Sequence, residues 1–157
     1  MSTTTHDAPV EDDVHHEEDT NYLNHESGIW SWLTTKDHKR IGVLYCISLA
    51  AVFFAAGVLA LFMRAELSAP GETIMGNETY NQVFTMHGIL MVFLFLVPSI
   101  PAILGNFVLP LQIGAKDVAF PKLNLASWYV YMAGAILTIT ALLTGGVDTG
   151  WTFYTPY

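Results

Sequence analysis

The strongest constraint on the fold of this chain is a run of 23 residues from Ile41 to Met63 that carries no charged side chain. A helix rises 1.5 Å per residue, so this run is long enough to cross the roughly 30 Å hydrocarbon core of a bilayer. Similar runs follow at about 83–111 and 126–144. The sequence therefore predicts an all-α membrane protein with three transmembrane helices, with spans at about 41–63, 83–111 and 126–144.

Two prolines, Pro98 and Pro101, lie inside the second predicted span. Proline breaks a helix in water, but a transmembrane helix tolerates it because neighbouring helices can satisfy the freed carbonyls. We therefore expect a kinked second span rather than two separate helices.

The charged residues are unevenly distributed along the chain. Only 13% of residues are charged, where about a quarter is usual for a soluble domain. Eight acidic residues fall within the first 28 positions, and the first cation is Lys36. The net charge of −8 therefore belongs to residues 1–28, which we predict to be a disordered acidic cytoplasmic tail before a membrane unit at 29–157. The chain lacks the basic face that nucleic-acid binding needs.

The cations predict the orientation of the chain in the membrane. Lys36, Lys39 and Arg40 precede the first span, whereas Lys116 and Lys122 lie between the second and third. Three crossings put both groups on the same side, and the positive-inside rule makes that side cytoplasmic. Together with the absence of a basic signal-peptide region, this pattern favours a bacterial inner membrane with a cytoplasmic N-terminus.

His87 is the ionisable residue of the second predicted span. Such a residue is costly in lipid and by default suggests a function. Three interpretations stay open from the residues alone: a hydrogen bond to a neighbouring helix, a metal or haem ligand, or a proton relay. Gly88 follows directly, and its missing side chain would let a flat macrocycle approach the helix.

Five motifs give more specific information about the chain. In sequence order they are "DHKRIG", "RAEL", "TMHGILMVF", "GNFVLPLQIGAKDVAFPKLN" and "TGWTFYTP". Together they closely resemble subunit I of the haem–copper terminal oxidases, the cytochrome c oxidase family. The resemblance covers about Trp30 to Tyr157.

The resemblance implies the residues of a haem site. His87 falls where the family has an axial ligand of the low-spin haem, and Arg64 falls on the arginine that contacts the formyl group of haem A. Trp151 and Tyr154 match a stretch near the haem propionates. From the residues alone, Arg64 reads as a cation that extends to the interface, and Trp151 reads equally well as part of an aromatic belt.

The resemblance also implies a proton channel from the cytoplasm. Asp117 matches the carboxylate at its mouth, and Asn106 and Asn124 match amides that line its narrow opening. Without the resemblance, Asp117 could be a surface acid paired with Lys116, and Asn124 could be a helix cap. The family often has proline where Lys116 stands and asparagine where Leu125 stands.

A cation site is implied more weakly. Glu66, Ala69 and Gly71 match positions that bind a non-redox cation in some members. Oxygen ligands of this kind suit calcium or sodium.

As a whole, the resemblance implies a proton-pumping oxidase that passes electrons from cytochrome c to dioxygen. The expected partners are the remainder of subunit I, oxidase subunits II and III, cytochrome c and the lipid bilayer. The second low-spin haem ligand and the ligands of the second haem and copper have no counterpart here, so we expect an N-terminal fragment that is inactive alone. A quinol oxidase, or a non-catalytic structural or assembly membrane protein, are the alternatives.

Overall fold

The computed structural model describes residues 23, 28–145 and 148–154, and within these ranges the chain is all-helical. A short helix, α1, spans Ile29–Leu33. Three long helices follow: α2 at His38–Glu66, α3 at Asn77–Ile113 and α4 at Pro121–Leu143. All three are long and apolar enough to cross a membrane, which confirms the predicted fold class. The predicted acidic tail, residues 1–28, lies almost wholly outside the described residues.

Local signals explain where the long helices begin and end. The Asp37 carboxylate accepts the backbone N–H of Lys39 at 2.7 Å and so caps α2. The chain leaves α3 at Gly114, whose φ of +68° favours glycine, and the Ala115 N–H bonds to the Pro110 carbonyl at 2.9 Å. Pro121 starts α4, where its missing N–H costs nothing.

Few side chains of the bundle are buried, and more of them lie on α2 than on any other helix. Ile41, Tyr45 and Leu49 pack with Trp128 of α4, while Val52 and Ala56 pack with Leu90 of α3. Many large apolar side chains face outward instead, such as Phe54, Leu61 and Val130, each at least 70% exposed. So many exposed apolar side chains indicate that lipid or further protein surrounds the bundle, as expected for an integral membrane protein.

The two ends of the bundle differ in charge. The His38 and Asp117 side chains meet at one end, which brings the start of α2 beside the loop between α3 and α4. Five of the six Lys and Arg residues fall at or next to these segments: Lys36, Lys39, Arg40, Lys116 and Lys122. Arg64 lies in the last turn of α2, at the opposite end. We call these the basic end and the Arg64 end.

The middle of α3 departs from regular α geometry around its prolines. Residues Leu90–Leu96 and Ile100–Leu104 form wider π-helical turns on either side of Pro98. Pro98 has no N–H to give the Leu94 carbonyl four residues earlier. The Tyr131 hydroxyl of α4 donates to that carbonyl at 2.9 Å. A neighbouring helix thus satisfies a freed carbonyl, as predicted for the proline-containing span.

Replacing Tyr131 with phenylalanine should loosen the contact between α3 and α4. The change leaves the Leu94 carbonyl without this donor and should lower the free energy of unfolding by about 1 kcal/mol. The measurement is denaturant unfolding in detergent micelles. Tyr80→Phe is the control, since the Tyr80 hydroxyl has no hydrogen bond to the described part of the chain. Equal stability of the two variants would contradict the role given to Tyr131.

Candidate functional site

His87 lies in α3 and reaches across to α2. Its Nδ1 atom is 2.9 Å from the backbone carbonyl oxygen of Ala56. A carbonyl can only accept, so Nδ1 must carry the hydrogen and donate it. The neutral ring then has its lone pair on Nε2, which has no hydrogen bond to the described residues. A histidine that ligates a metal through Nε2 needs this tautomer, with Nδ1–H held by a backbone carbonyl.

The carbonyl that holds His87 lies in a tightly packed part of the bundle. Ala56 is fully buried and packs with Val52 and Leu90. Because little water reaches this contact, the bond fixes both the ring orientation and the tautomer. The hydrogen bond to a neighbouring helix is thus present on one nitrogen, and it leaves the other nitrogen able to accept a hydrogen bond or bind a metal.

The space beside Gly88 is filled, contrary to our expectation that it would admit a flat macrocycle. A Cβ atom added there would lie 2.8 Å from Cδ1 of Trp151. The Trp151 backbone is held nearby, since the Gly150 N–H donates to the Thr85 hydroxyl at 2.8 Å. Gly88 therefore serves the packing of the 148–154 segment against α3. Tyr154 lies in the same segment and is 74% exposed.

Arg64 is on the same helix as the carbonyl that holds His87. It lies eight residues beyond Ala56, which corresponds to about 12 Å along the helix axis. Its side chain is exposed and forms no ion pair with the described residues. The arrangement leaves a cation at the end of the bundle near His87.

At the basic end, Asp117 is paired with a histidine. Its Oδ1 atom lies 2.9 Å from Nδ1 of His38, and the same oxygen accepts the Val118 N–H at 2.7 Å. The His38 side chain is buried, whereas that of Asp117 is 43% exposed. The structure thus gives Asp117 a histidine partner, and it shows no ion pair to Lys116 among the described residues.

The His38–Asp117 pair was missed by sequence reasoning. The two residues are 79 positions apart, so local patterns could not connect them. The predicted topology did contain a signal, because it placed His38 and the Asp117 loop on the same side of the membrane.

Asn106 and Asn124 form a direct pair deeper in the bundle. The Asn124 amide donates to the Asn106 oxygen at 2.6 Å, and the Asn106 amide donates to the Ala102 carbonyl at 2.6 Å. Asn106 is 3% exposed. Asn124 lies in the first turn of α4 and points to α3, so it does not serve as the cap of α4. We call these two side chains the amide pair.

Two cavities, each open to the surface of the described chain, meet at the amide pair. The outer one, of about 330 Å³, is lined by Val118, the residue after Asp117. The inner one, of about 270 Å³, extends to Tyr45 and Tyr131. Both volumes suffice for several water molecules. Four residues line both cavities: Pro101, Asn106, Asn124 and Ser127.

A chain of hydrogen bonds continues inward from the amide pair. The Ser127 hydroxyl donates to the Asn124 carbonyl at 2.6 Å, and the Ser127 and Tyr45 hydroxyl oxygens lie 2.8 Å apart. Ser127 and Tyr45 were not singled out from the sequence. Hydroxyls and amides both donate and accept, so this arrangement can order water without holding charge.

Glu66, Ala69 and Gly71 line one cleft of about 510 Å³ at the Arg64 end. The Glu66 carboxylate accepts four hydrogen bonds there: the backbone N–H groups of Thr73, Ile74 and Met75, and the Thr73 hydroxyl. These donors occupy the carboxylate and tie it to the loop between α2 and α3. A cation at Glu66 would have to share its oxygens with these donors, and the calcium or sodium site stays a prediction.

The fold and these contacts define an integral membrane protein with a half-buried histidine near one end of its bundle and an acid–histidine pair at the other. The family model for "Cytochrome C and Quinol oxidase polypeptide I" matches residues 40–157. The chain belongs to this family, the subunit I family of haem–copper oxidases.

Curated relatives agree with this assignment. The chain is 49% identical over 127 residues to a "Probable cytochrome c oxidase subunit 1-alpha" of Streptomyces coelicolor, an alignment that covers 80% of this chain and 22% of the relative. It is 44% identical over 141 residues to "Cytochrome c oxidase subunit 1" of Corynebacterium glutamicum. That alignment covers 88% of this chain and 24% of the relative. For the protein of that name from Alkalihalophilus pseudofirmus, the identity is 46% over 132 residues. That alignment covers 83% of this chain and 21% of the relative. The chain thus spans about a fifth to a quarter of the length of these relatives.

The family implies haem and copper cofactors. Within the described residues, no group of three or more His, Cys, Asp or Glu side chains could hold a metal ion. A metal bound through His87 would therefore need ligands from outside this part of the chain.

Replacing Glu66 with glutamine should loosen the loop between α2 and α3. The amide keeps one acceptor oxygen but points N–H groups at backbone donors, and hydrogen bonds to a charged group contribute about 1.5–3 kcal/mol. Amide hydrogen exchange at Ile74 and Met75 should accelerate by roughly tenfold to a hundredfold. Glu72→Gln is the control, because Glu72 accepts only a long 3.3 Å bond from the Asn77 N–H. Unchanged exchange in Glu66→Gln would show that the carboxylate does not hold the loop.

Proposed function

We propose that this chain is part of the catalytic subunit of a proton-pumping haem–copper oxidase that passes electrons from cytochrome c to dioxygen and gives water. Family membership supports the class of enzyme. The observation that carries the proposal is the His87–Ala56 hydrogen bond, because it places the hydrogen of this half-buried imidazole on Nδ1 and leaves Nε2 available as a ligand. The names of the relatives favour cytochrome c over quinol as the electron donor.

The Nε2 lone pair of His87 fits an axial ligand of a low-spin haem, whereas the space beside Gly88 is occupied by Trp151. His87 would hold the iron through Nε2, while Ala56 keeps the proton on Nδ1. When bound, haem A supplies one-electron transfer. Arg64 would contact the formyl group and withdraw electron density, and Trp151 and Tyr154 would lie toward the propionates. The second axial ligand, the second haem and the copper would be held by other parts of subunit I.

In the complete oxidase, His87→Ala should abolish the low-spin haem. The variant removes an axial ligand that alanine cannot replace, so the low-spin absorption band should be lost from the reduced-minus-oxidised spectrum. Met91→Leu is the matched control, one turn further along α3 and close in volume. A low-spin spectrum that survives in His87→Ala would sink the ligand assignment.

Protons would be taken up at the basic end. Asp117 is partly exposed and can collect a proton from water, and His38 beside it can exchange a proton at Nδ1. Water in the outer cavity would carry the proton to the amide pair. Water in the inner cavity, ordered by Ser127 and Tyr45, would carry it onward. The described residues that line the two cavities at the amide pair carry no charge, so the pair would conduct without trapping the proton.

The location of these sites follows from the same proposal. The basic end would face the cytoplasm by the positive-inside rule, and the Arg64 end would face outward. This orientation would make the N-terminus cytoplasmic, and the bacterial relatives support a bacterial inner membrane as its location. Subunits II and III and the remainder of subunit I would complete the oxidase.

In the complete oxidase, Asp117→Asn should slow proton uptake and reduce or abolish pumping. Asparagine cannot take up and release a proton, so the path loses its collecting group. The measurement is the number of protons released per electron by the oxidase in sealed vesicles. Glu78→Gln, an exposed acid in the first turn of α3 at the other end, is the control. Pumping equal to that of the control would rule out Asp117 as the mouth of the path.

A further inference from the structure

Gly42 lies in α2 where that helix touches the amide pair. A Cβ atom added at Gly42 would lie 2.7 and 2.9 Å from two ring carbons of Phe107, and 3.1 Å from Cβ of Asn106. These separations are well below ordinary van der Waals contact. Gly42 is therefore a close contact between α2 and α3 at the position of Asn106.

We propose that Gly42 is a positioning residue for proton uptake: its missing side chain sets how close Asn106 lies to α2, and thereby sets the geometry of the amide pair. This inference rests on the proposed role of the amide pair in the proton path. It assigns a function to a residue that carries no polar side chain.

The geometry leaves little freedom to absorb a side chain at Gly42. The Phe107 ring can rotate away, because its clashing atoms are at the end of a side chain. Cβ of Asn106 cannot, because it is bonded directly to the backbone. Relief at Asn106 therefore requires α3 to move away from α2 by a few tenths of an ångström.

The side chain of Asn106 cannot compensate for such a movement. Its amide nitrogen is held by Ala102 and its oxygen by Asn124, each at 2.6 Å. Both distances lie just below the usual N–H···O range. The bond to Ala102 ties the side chain to α3 itself, so a shift of α3 must be transmitted to Asn124. The opening between the two cavities would change with it.

Gly42 also shares a helix face with two other residues of the path. His38 precedes it by four positions and Tyr45 follows it by three, which is the spacing of one face of a helix. His38 contacts Asp117, and Tyr45 contacts Ser127. This face of α2 thus runs along the path from its mouth to the inner cavity, with the close contact at Gly42 between them.

The test compares Gly42→Ala with Gly57→Ala in the complete oxidase. Both glycines lie in α2, so both changes alter helix propensity equally, but a Cβ at Gly57 meets no atom within 4 Å. Proton uptake should slow by roughly threefold to tenfold in Gly42→Ala, since a 1 Å displacement can cost about a hundredfold. The low-spin haem spectrum and the rate of haem reduction should match those of Gly57→Ala. Uptake equal to that of Gly57→Ala would overturn the inference.

A second comparison separates the Phe107 contact from the Asn106 contact. Adding Phe107→Leu to Gly42→Ala removes the ring clash but leaves the 3.1 Å contact with Asn106. Uptake in this double variant should stay below that of Phe107→Leu alone; equal uptake would contradict the inference. The double variant also provides the test if Gly42→Ala fails to assemble.

The outcome is distinguishable from failure of the proposed function. If Asp117→Asn stops pumping while Gly42→Ala behaves like Gly57→Ala, the proton path stands and only the role of Gly42 is lost. If Asp117→Asn pumps normally, the path itself is wrong, whatever Gly42→Ala does.

Discussion

The structure depends on one constraint: a polar group inside the apolar region must find its partner within the protein, because lipid offers none. The fully buried groups of the described residues meet it, since each of their side-chain nitrogens and oxygens has a hydrogen-bond partner. The His87 ring bonds to the Ala56 carbonyl, and Tyr131 bonds to the Leu94 carbonyl that Pro98 leaves free. In each case a side chain on one helix bonds to the backbone of another. The contacts that satisfy polar groups are thus also the contacts that fix the helices relative to one another.

The need for partners within the protein is met in different ways at the two ends of the bundle. Near the Arg64 end, a carbonyl uses one nitrogen of His87 and so selects the tautomer that exposes the other. At the basic end, amides and hydroxyls satisfy one another around cavities, and each group can both donate and accept. The first arrangement suits a fixed ligand and the second suits mobile water. Neither requires a buried unpaired charge, which lipid would make costly.

Much of the fold could be predicted from the sequence. The three spans follow from length and apolarity alone, and the cations at the basic end follow from the loops that carry them. The π-helical turns could be anticipated only as an irregularity near Pro98. The partner of the Leu94 carbonyl, Tyr131, lies on another helix, and helix rotation is not encoded in apolar runs whose faces are nearly all hydrophobic. His87 could be recognised from the sequence because it is a lone ionisable side chain in an apolar span. Its partner, the Ala56 backbone carbonyl, could not, because a backbone carbonyl has no sequence signature.

The roles of two glycines became clear only from the packing of the helices. Gly88 suggested an open space for a ligand, yet Trp151 occupies it, so a missing side chain marked a protein contact. Gly42 has no sequence feature that marks it, yet its missing side chain allows Asn106 to lie close to α2. A glycine in a transmembrane helix can thus specify a distance between helices. Asn106 belongs both to this close contact with α2 and to the hydrogen bond with Asn124 of α4, so a side chain that separated α2 from α3 would also displace the amide pair.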